Sequence, residues 1–234
     1  MKKIFIVFSY VLMVLMVLLP LGTSISSLLG YTFQIASISA YTIAVASLSI
    51  CTVAFSIITK GATENNVIKV LFALLTPLSL LHAVFCLLYS HKACVIDCTL
   101  ICISCSLFLT IKYGKPLAFK ITTLIISALL TLPVGFIFFI VLIFGDLGQN
   151  TVVMSVESPN ETYYAEVIDS NQGALGGNTF VDVYENKGLN AIIFTISKKP
   201  QRIYQGDWGE FEYMAISWKN DHCLVINSVS YEIK

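Results

Sequence analysis

The chain has 234 residues, of which 56% are hydrophobic and only 12% are charged, and its 14 basic and 14 acidic side chains cancel. Its mean hydropathy of +0.82 excludes a protein that is soluble as a whole and is typical of an integral membrane protein. The charge is unevenly divided, because carboxylates outnumber basic side chains after Asn150. This acidic C-terminal part argues against nucleic acid as a partner.

Five nearly uncharged apolar runs occupy the first part of the chain. They cover residues 4–19, 33–59, 70–89, 93–111 and 121–144. An α-helix needs about 20 apolar residues to cross the hydrocarbon core of a bilayer, and each run is close to that length. We therefore predict a helical transmembrane domain over residues 1–147, with about five spans in contact with the lipid bilayer.

Lysines mark one side of the predicted bundle. They lie before the first span, between spans two and three, and between spans four and five: Lys2, Lys3, Lys60, Lys69, Lys112, Lys115 and Lys120. Short basic loops are retained in the cytoplasm, so the N-terminus is predicted to be cytoplasmic. An odd number of spans then puts residues 148–234 outside. Lysines before an apolar run also fit a cleavable signal peptide, and cleavage would leave residues 148–234 outside as well.

A row of small residues follows the second predicted span at helical spacing. Its members are Ala36, Ala40, Ala44, Ser47 and Cys51. Small side chains let helix backbones approach closely, so we expect this face to point into the bundle.

From Thr151 onward the continuous apolar runs give way to alternating apolar and polar residues, which is the pattern of half-buried strands. Strands are predicted near residues 152–156, 163–169, 179–185, 191–197, 202–204, 213–218 and 223–227, with a last one through Tyr231. Short successive strands with short turns indicate an antiparallel meander. The predicted fold class is a membrane α-helical bundle followed by a small antiparallel all-β domain, which is extracytoplasmic and covers residues 148–234.

Several segments of this β region occur in an order that resembles a known family. They are Ser158-Pro159-Asn160, the Tyr-x-Ala-x-Val segment from Tyr163, Gly173-Ala174-Leu175-Gly176-Gly177-Asn178-Thr179, Trp208-Gly209-Glu210-Phe211 and the segment 216–227. Residues 153–231 resemble a domain of unknown function found in hypothetical membrane proteins and lipoproteins of Firmicutes. The resemblance implies a Gram-positive bacterium and a place in the cell envelope, and it implies no catalytic residue.

The glycine-rich segment at residues 173–177 lacks the lysine and the following helix of a phosphate-binding loop. A β-turn or bulge that needs positive φ angles is the expected structure. We predict that a ligand, if the domain binds one, contacts this loop and the exposed aromatic side chains. The candidate ligand-binding residues are Gly173, Gly176, Gly177, Asn178, Trp208 and Trp218. For the two tryptophans, core and rim positions are the favoured interpretation over a glycan-binding platform.

His82 and Asp97 are the imidazole and the carboxylate within the predicted spans, and ionisable groups at such positions are functional candidates. Spans three and four form a tight hairpin, so the two side chains could face each other across it. A facing pair could relay protons. A neutral, hydrogen-bonded His82 would instead hold the hairpin together.

Four cysteines fall within one arc of the fourth span and, with a nearby histidine, could bind a soft metal or support redox exchange. These residues are Cys94, Cys98, Cys102, Cys105 and His91. Cysteine also behaves as a small apolar residue in helix packing, and one helix alone cannot surround a metal.

No residue pattern in the chain specifies a reaction, and we predict neither a catalytic residue, an enzymatic activity nor a cofactor. The sequence favours a membrane-anchored envelope protein whose β domain binds or senses an extracytoplasmic ligand. A peptide, a cell-wall polymer or an envelope protein could be that partner. The alternative is a small transporter or accessory subunit that uses His82 and Asp97.

Overall fold

A computed structural model describes residues 2–58, 66–90, 92–144, 149–173 and 176–233. The chain divides into two compact units. The helical unit consists of Met1–Ile25 and Ile35–Gly145, and the β unit consists of Ser26–Gln34 and Asp146–Lys234.

Within the described residues, five α-helices form the helical unit, and all five are long and apolar enough to cross a membrane. They are α1 (Lys2–Leu28), α2 (Ile38–Ile58), α3 (Asn66–Tyr89), α4 (Ala93–Tyr113) and α5 (Leu117–Phe144). The prediction of five spans is confirmed, and the protein is a membrane protein. Helix α3 packs against α4 and α5, and α2 packs against α4.

The prediction of where the second span starts is wrong. The span was expected from residue 33, but Tyr31–Ile35 form a strand, β1, and α2 begins only at Ile38. Aromatic and β-branched residues that alternate with polar ones favour a strand, yet in the sequence they merge with the apolar run that follows. The buried Phe33 belongs to this strand and not to a helix.

The face of α2 that points into the bundle also differs from the prediction. Every member of the small-residue row, from Ala36 to Cys51, is exposed. The buried face carries hydroxyl groups instead, at Thr42, Ser49, Thr52 and Ser56. These hydroxyls bond back to the preceding helical turn, as Ser49 Oγ does to the Val45 carbonyl at 2.8 Å. Burying hydroxyls is inexpensive when the helix itself supplies the acceptor, so they share this face with Val45 and Ala46.

Nine further strands form the β unit together with β1. They are β2 (Gln149–Glu157), β3 (Tyr163–Asn171), β4 (Gly177–Glu185), β5 (Gly188–Asn190), β6 (Phe194–Lys198), β7 (Gln201–Asp207), β8 (Ile216–Asn220), β9 (Cys223–Ile226) and β10 (Val229–Glu232). They make three sheets with the orders β2-β3-β4-β7, β1-β6-β5 and β10-β9-β8. A domain of antiparallel sheets is therefore confirmed.

The strands do not follow one simple meander. Strand β4 pairs with β7, whereas the β5–β6 hairpin leaves that sheet and joins β1. Part of the predicted strand 213–218 is a short 3-10 helix at Glu210–Tyr213, which follows Gly209 at φ +82°. This turn separates β7 from the β8–β9–β10 sheet.

The core of the β unit lies between two of its sheets. Side chains on one face of β3 and β4 pack with side chains of β9: Ala165, Val167, Val181, Val183, Leu224 and Ile226. Because successive strand residues point to opposite faces, the intervening residues of β3 and β4 form a second face of the same sheet.

Strand β1 makes the β unit larger than the predicted domain 148–234. Thr32 Oγ1 lies 2.8 Å from Ser197 Oγ, and the Phe33 and Phe194 rings stack with centroids 5.2 Å apart. The Lys199 backbone N–H also donates to the Gly30 carbonyl at 3.0 Å. The segment Ser26–Gln34 thus belongs to the β unit although it lies between two transmembrane helices. The predicted boundary at 147/148 itself lies outside the described residues.

Candidate functional site

The glycine-rich connection between β3 and β4 is a tight turn. Gly173 and Gly176 have φ angles of +63° and +91°. The Gln172 N–H donates to the Gly176 carbonyl at 2.7 Å, which closes the turn. The expected need for positive φ is confirmed. Residues 174 and 175 lie outside the described residues.

Trp208 lies against the first residue of β4. A Cβ atom added to Gly177 would come within 2.5 Å of Trp208 Cδ1, so only glycine leaves room for the indole on this backbone. The neighbouring Asn178 is paired with Asp207 across β4 and β7. The structure therefore brings Gly177, Asn178 and Trp208 together, and of the three only Trp208 lines the cavity beside this turn.

Glu210 fixes the shape of the segment that follows β7. Its carboxylate accepts hydrogen bonds from the Asp207 backbone N–H, at 3.1 Å, and from the Tyr204 hydroxyl. Gly206 leaves space for the Glu210 carboxylate, because a Cβ atom at position 206 would collide with Glu210 Oε2. The hydrogen bond to Glu210 is the main cause that raises the pKa of Tyr204 to about 12, so the phenol remains a donor at physiological pH.

A shallow cavity of about 380 Å³ opens beside this segment, and we name it the acidic aromatic cleft. Its lining consists of Asp207, Trp208, Gly209, Glu210, Glu212 and Tyr213. The two aromatic side chains are 54% and 85% exposed, respectively, which is unusual for rings that could have been buried in the core. Three carboxylates and two accessible rings in one place form a surface suited to a positively charged group.

Trp218 does not belong to this cleft. Its indole N–H donates to the Val156 carbonyl at 2.9 Å, and its ring stacks on Tyr163 with centroids 6.5 Å apart. It packs against the core of the β unit. Of the two predicted tryptophans, only Trp208 contributes to the candidate site.

The second face of the β2-β3-β4-β7 sheet carries charged groups that the sequence did not single out. Glu166 and Asp182 are directly opposite each other on β3 and β4. Arg202 binds both Asp182 oxygens, at 2.8 and 2.9 Å, and its guanidinium lies 3.7 Å above the centre of the Phe180 ring. Strand alternation assigns Glu166 and Asp182 to one face, but their alignment depends on strand register, which the sequence does not reveal.

Burial is the main cause that raises the pKa of Glu166. A hydrogen bond from Tyr184 opposes this shift, and the negative charge of Asp182 adds to it. Tyr184 also stacks on Tyr164 with centroids 4.9 Å apart and nearly parallel rings. The arrangement satisfies Asp182 with Arg202 and leaves Glu166 as the less stable carboxylate of the pair.

His82 and Asp97 do not form the expected contact in the helical unit. His82 is buried, its Nε2 lies 3.3 Å from Cys86 Sγ on the same helix, and its ring lies 5.6 Å from that of Tyr41. Asp97 is exposed, on a different face of α4 from the buried Val95. Asp97 is the fifth residue of α4, close enough to the end of the span for its carboxylate to reach the level of the headgroups. The relay between the two residues is therefore not formed.

The cysteines of α4 likewise do not converge on one point. Cys94 is exposed and Cys98 and Cys105 are half-buried, while Cys102 is buried with its Sγ 3.8 Å from Ser49 Oγ. Among the described residues, no three His, Cys, Asp or Glu side chains meet in a metal-binding arrangement. The contribution expected from His91 lies outside the described residues.

Comparison with known proteins adds no relative, since no family model, no curated protein and no solved structure matches this chain. The resemblance to the Firmicutes domain of unknown function stays a prediction. The candidate site is therefore argued from its geometry.

Proposed function

We propose that the protein is a membrane-anchored binding protein of the cell envelope, and that its β unit holds a positively charged group of an extracytoplasmic ligand in the acidic aromatic cleft. The observation that carries this proposal is the pairing of exposed Trp208 and Tyr213 with three carboxylates around one cavity. A lysine-containing peptide, an amine-bearing cell-wall polymer or a basic surface of an envelope protein has the required chemistry.

The geometry of the cleft favours binding over catalysis. Glu210 is held by hydrogen bonds to Tyr204 and to the Asp207 backbone, which leaves it as a fixed negative charge rather than a proton carrier. A cation placed over the face of the Trp208 or Tyr213 ring is attracted by the ring quadrupole. Such a surface recognises charge and shape without any chemical step.

The extracytoplasmic location of the β unit rests on two supports. The first is the clustering of lysines in connections on one side of the bundle. The second is connectivity: β1 follows α1 and β2 follows α5, and both strands belong to one unit. The ends of the first and fifth helices then lie on the same side, which agrees with five consecutive crossings, and the choice of side rests on the lysines alone.

Binding of a fluorescent tetralysine peptide to the full-length protein in lipid nanodiscs tests the proposal. We expect binding that weakens as salt is added. Glu212→Gln and Tyr213→Ala should each weaken it roughly two- to fivefold, the size of one exposed cation–aromatic or charge contact. Both side chains are exposed, so neither substitution should disturb the fold.

Glu232→Gln and Tyr31→Ala are the matched controls, because they make the same changes of charge and size at exposed positions of β10 and β1. They should leave peptide affinity unchanged. Equal binding of a fully acetylated peptide, or equal losses in the cleft and control variants, would contradict a cation-binding cleft.

A further inference from the structure

A second cavity, of about 400 Å³, lies in the helical unit where the connection between α4 and α5 meets the first turns of α3. Its lining consists of Lys69, Val70, Lys115 and Pro116, and we call it the basic cavity. It thus combines two ammonium groups with an apolar wall.

The backbone holds the two lysines next to each other. The Lys115 N–H donates to the Lys69 carbonyl at 3.3 Å. Gly114, one residue earlier, packs so closely on α3 that an added Cβ would lie 3.3 Å from Ala73. Thr110 completes the attachment, because its hydroxyl donates to the Phe72 carbonyl at 2.7 Å. The proximity of Lys69 and Lys115 is therefore built into the contact between α3 and the end of α4.

Lys112 and Lys120, two described lysines next to the α4–α5 connection, have partners of their own. Lys120 Nζ donates to the Ile111 carbonyl at 2.7 Å. Lys112 Nζ lies 5.0 Å from the centre of the Tyr113 ring and 3.4 Å from the Ser56 carbonyl. Among the described residues, no carboxylate forms a salt bridge with Lys69 or Lys115. Two lysine side chains beside one cavity repel each other, and an anion bound between them would remove that cost.

The position of the cavity along the helices indicates the source of the anion. Lys69 lies in the first turn of the apolar span Val67–Tyr89, and Lys115 lies between the spans that end at Tyr113 and begin at Leu117. The ends of transmembrane helices lie at the level of the lipid headgroups. Basic pockets between transmembrane helices at this level suit anionic headgroups, and the Val70 and Pro116 wall suits the adjoining acyl chain.

We propose that the basic cavity binds the phosphate-bearing headgroup of an anionic phospholipid. This inference does not depend on the ligand of the β unit. Lys69 and Lys115 contact the phosphate, and the α4–α5 connection keeps them in place. The bound lipid would fasten the start of α3 to the start of α5.

Native mass spectrometry of the full-length protein in detergent tests this, with phosphatidylglycerol and phosphatidylcholine offered in equal amounts. We expect a preference for phosphatidylglycerol. The double substitution of Lys69→Gln with Lys115→Gln should weaken phosphatidylglycerol binding roughly 30-fold, since each lysine near a membrane surface contributes a factor of about five. Lys69→Arg with Lys115→Arg keeps the charge and should keep the preference.

Lys92→Gln with Lys187→Gln removes the same charge from two exposed positions elsewhere and is the matched control. A similar loss in this control and in the cavity variant would overturn the proposal. Inorganic phosphate that binds as tightly as the lipid, without preference between the two lipids, would also overturn it. Glu64 lies outside the described residues, and Glu64→Gln is a further variant to compare with the wild type. A preference for phosphatidylglycerol in Glu64→Gln but not in the wild type would mean that a carboxylate already neutralises the lysines, and the proposal would fail.

Discussion

Single residues of the β unit are stabilised or strained by partners that lie far away in the chain. Asp182 and Glu166 illustrate this, because they face each other across two strands and only Asp182 has a guanidinium partner. The pKa of Glu166 is raised in the folded protein, so the folded state binds a proton at this site more readily than the unfolded state does. The contribution of Glu166 to stability is therefore greatest below the ordinary pKa of a glutamate and is lost as the pH rises through its folded pKa.

Glu166→Gln should raise the unfolding temperature of the β unit at neutral pH, because an amide carries no charge to desolvate and still accepts the hydrogen bond from Tyr184. The advantage over the wild type should shrink as the pH falls towards about 4.3. Tryptophan emission is a suitable probe, since Trp208 and Trp218 are the two tryptophans of the chain and both lie in the β unit. Glu157→Gln, at an exposed position of β2, is the control and should leave the unfolding temperature unchanged. Equal shifts of the unfolding temperature in both variants would contradict the role assigned to Glu166.

At this scale the sequence predicts backbone requirements better than contacts. The positive φ of Gly176 could be foreseen, because glycine clusters between strands indicate tight turns. That Gly177 has to accommodate Trp208 could not be foreseen, because the two residues meet only through the pairing of β4 with β7. Strand pairing likewise decides that Trp208 lines the cleft and Trp218 packs against the core, so the sequence could not distinguish the two tryptophans.

Whole elements were predictable where the signal is local. Length and hydropathy alone identify the five helices, because a span must be apolar along its whole length. Strand β1 was missed since its five residues continue the apolar run of α2. The pairing of β5 and β6 with β1, outside the main sheet, was missed for a different reason. Strand pairing depends on packing between residues far apart in the sequence, which local sequence patterns do not reveal.

Phe33→Ala tests the role of β1 in the β unit. Phe33 is buried and stacks on Phe194, so truncation should destabilise the β unit by about 3 kcal/mol, as is usual for a buried phenylalanine. A lower unfolding temperature in tryptophan emission would report it, although both tryptophans lie more than a hundred residues further along the chain. Gln34→Ala changes an exposed side chain of the same strand and is the control. No difference between the two variants would mean that β1 is dispensable.

The arrangement of the whole molecule in the membrane can be tested through Cys223, the single cysteine after Cys105. We expect a membrane-impermeant maleimide to modify it in intact cells and Cys223→Ser to abolish that signal. Cys223 is partly buried, so Val229→Cys, at an exposed position of the neighbouring strand, provides a second reporter. Labelling of either cysteine only after lysis would reverse the proposed orientation and direct the search to a cytoplasmic partner.

Strand β1 also has a consequence for how the protein is made. The hydrogen bond from Thr32 to the Ser197 carbonyl joins residues 165 positions apart, so a ribosome completes β1 long before its partner β6 exists. During that interval four further helices must enter the bilayer, while the backbone groups of β1 that pair with β6 have no partner strand. A secreted fragment that begins at β2 would have the complementary defect, an open edge on β6, and open edges promote aggregation. The β unit can therefore mature only after membrane insertion of the entire chain, which makes insertion a checkpoint for its folding.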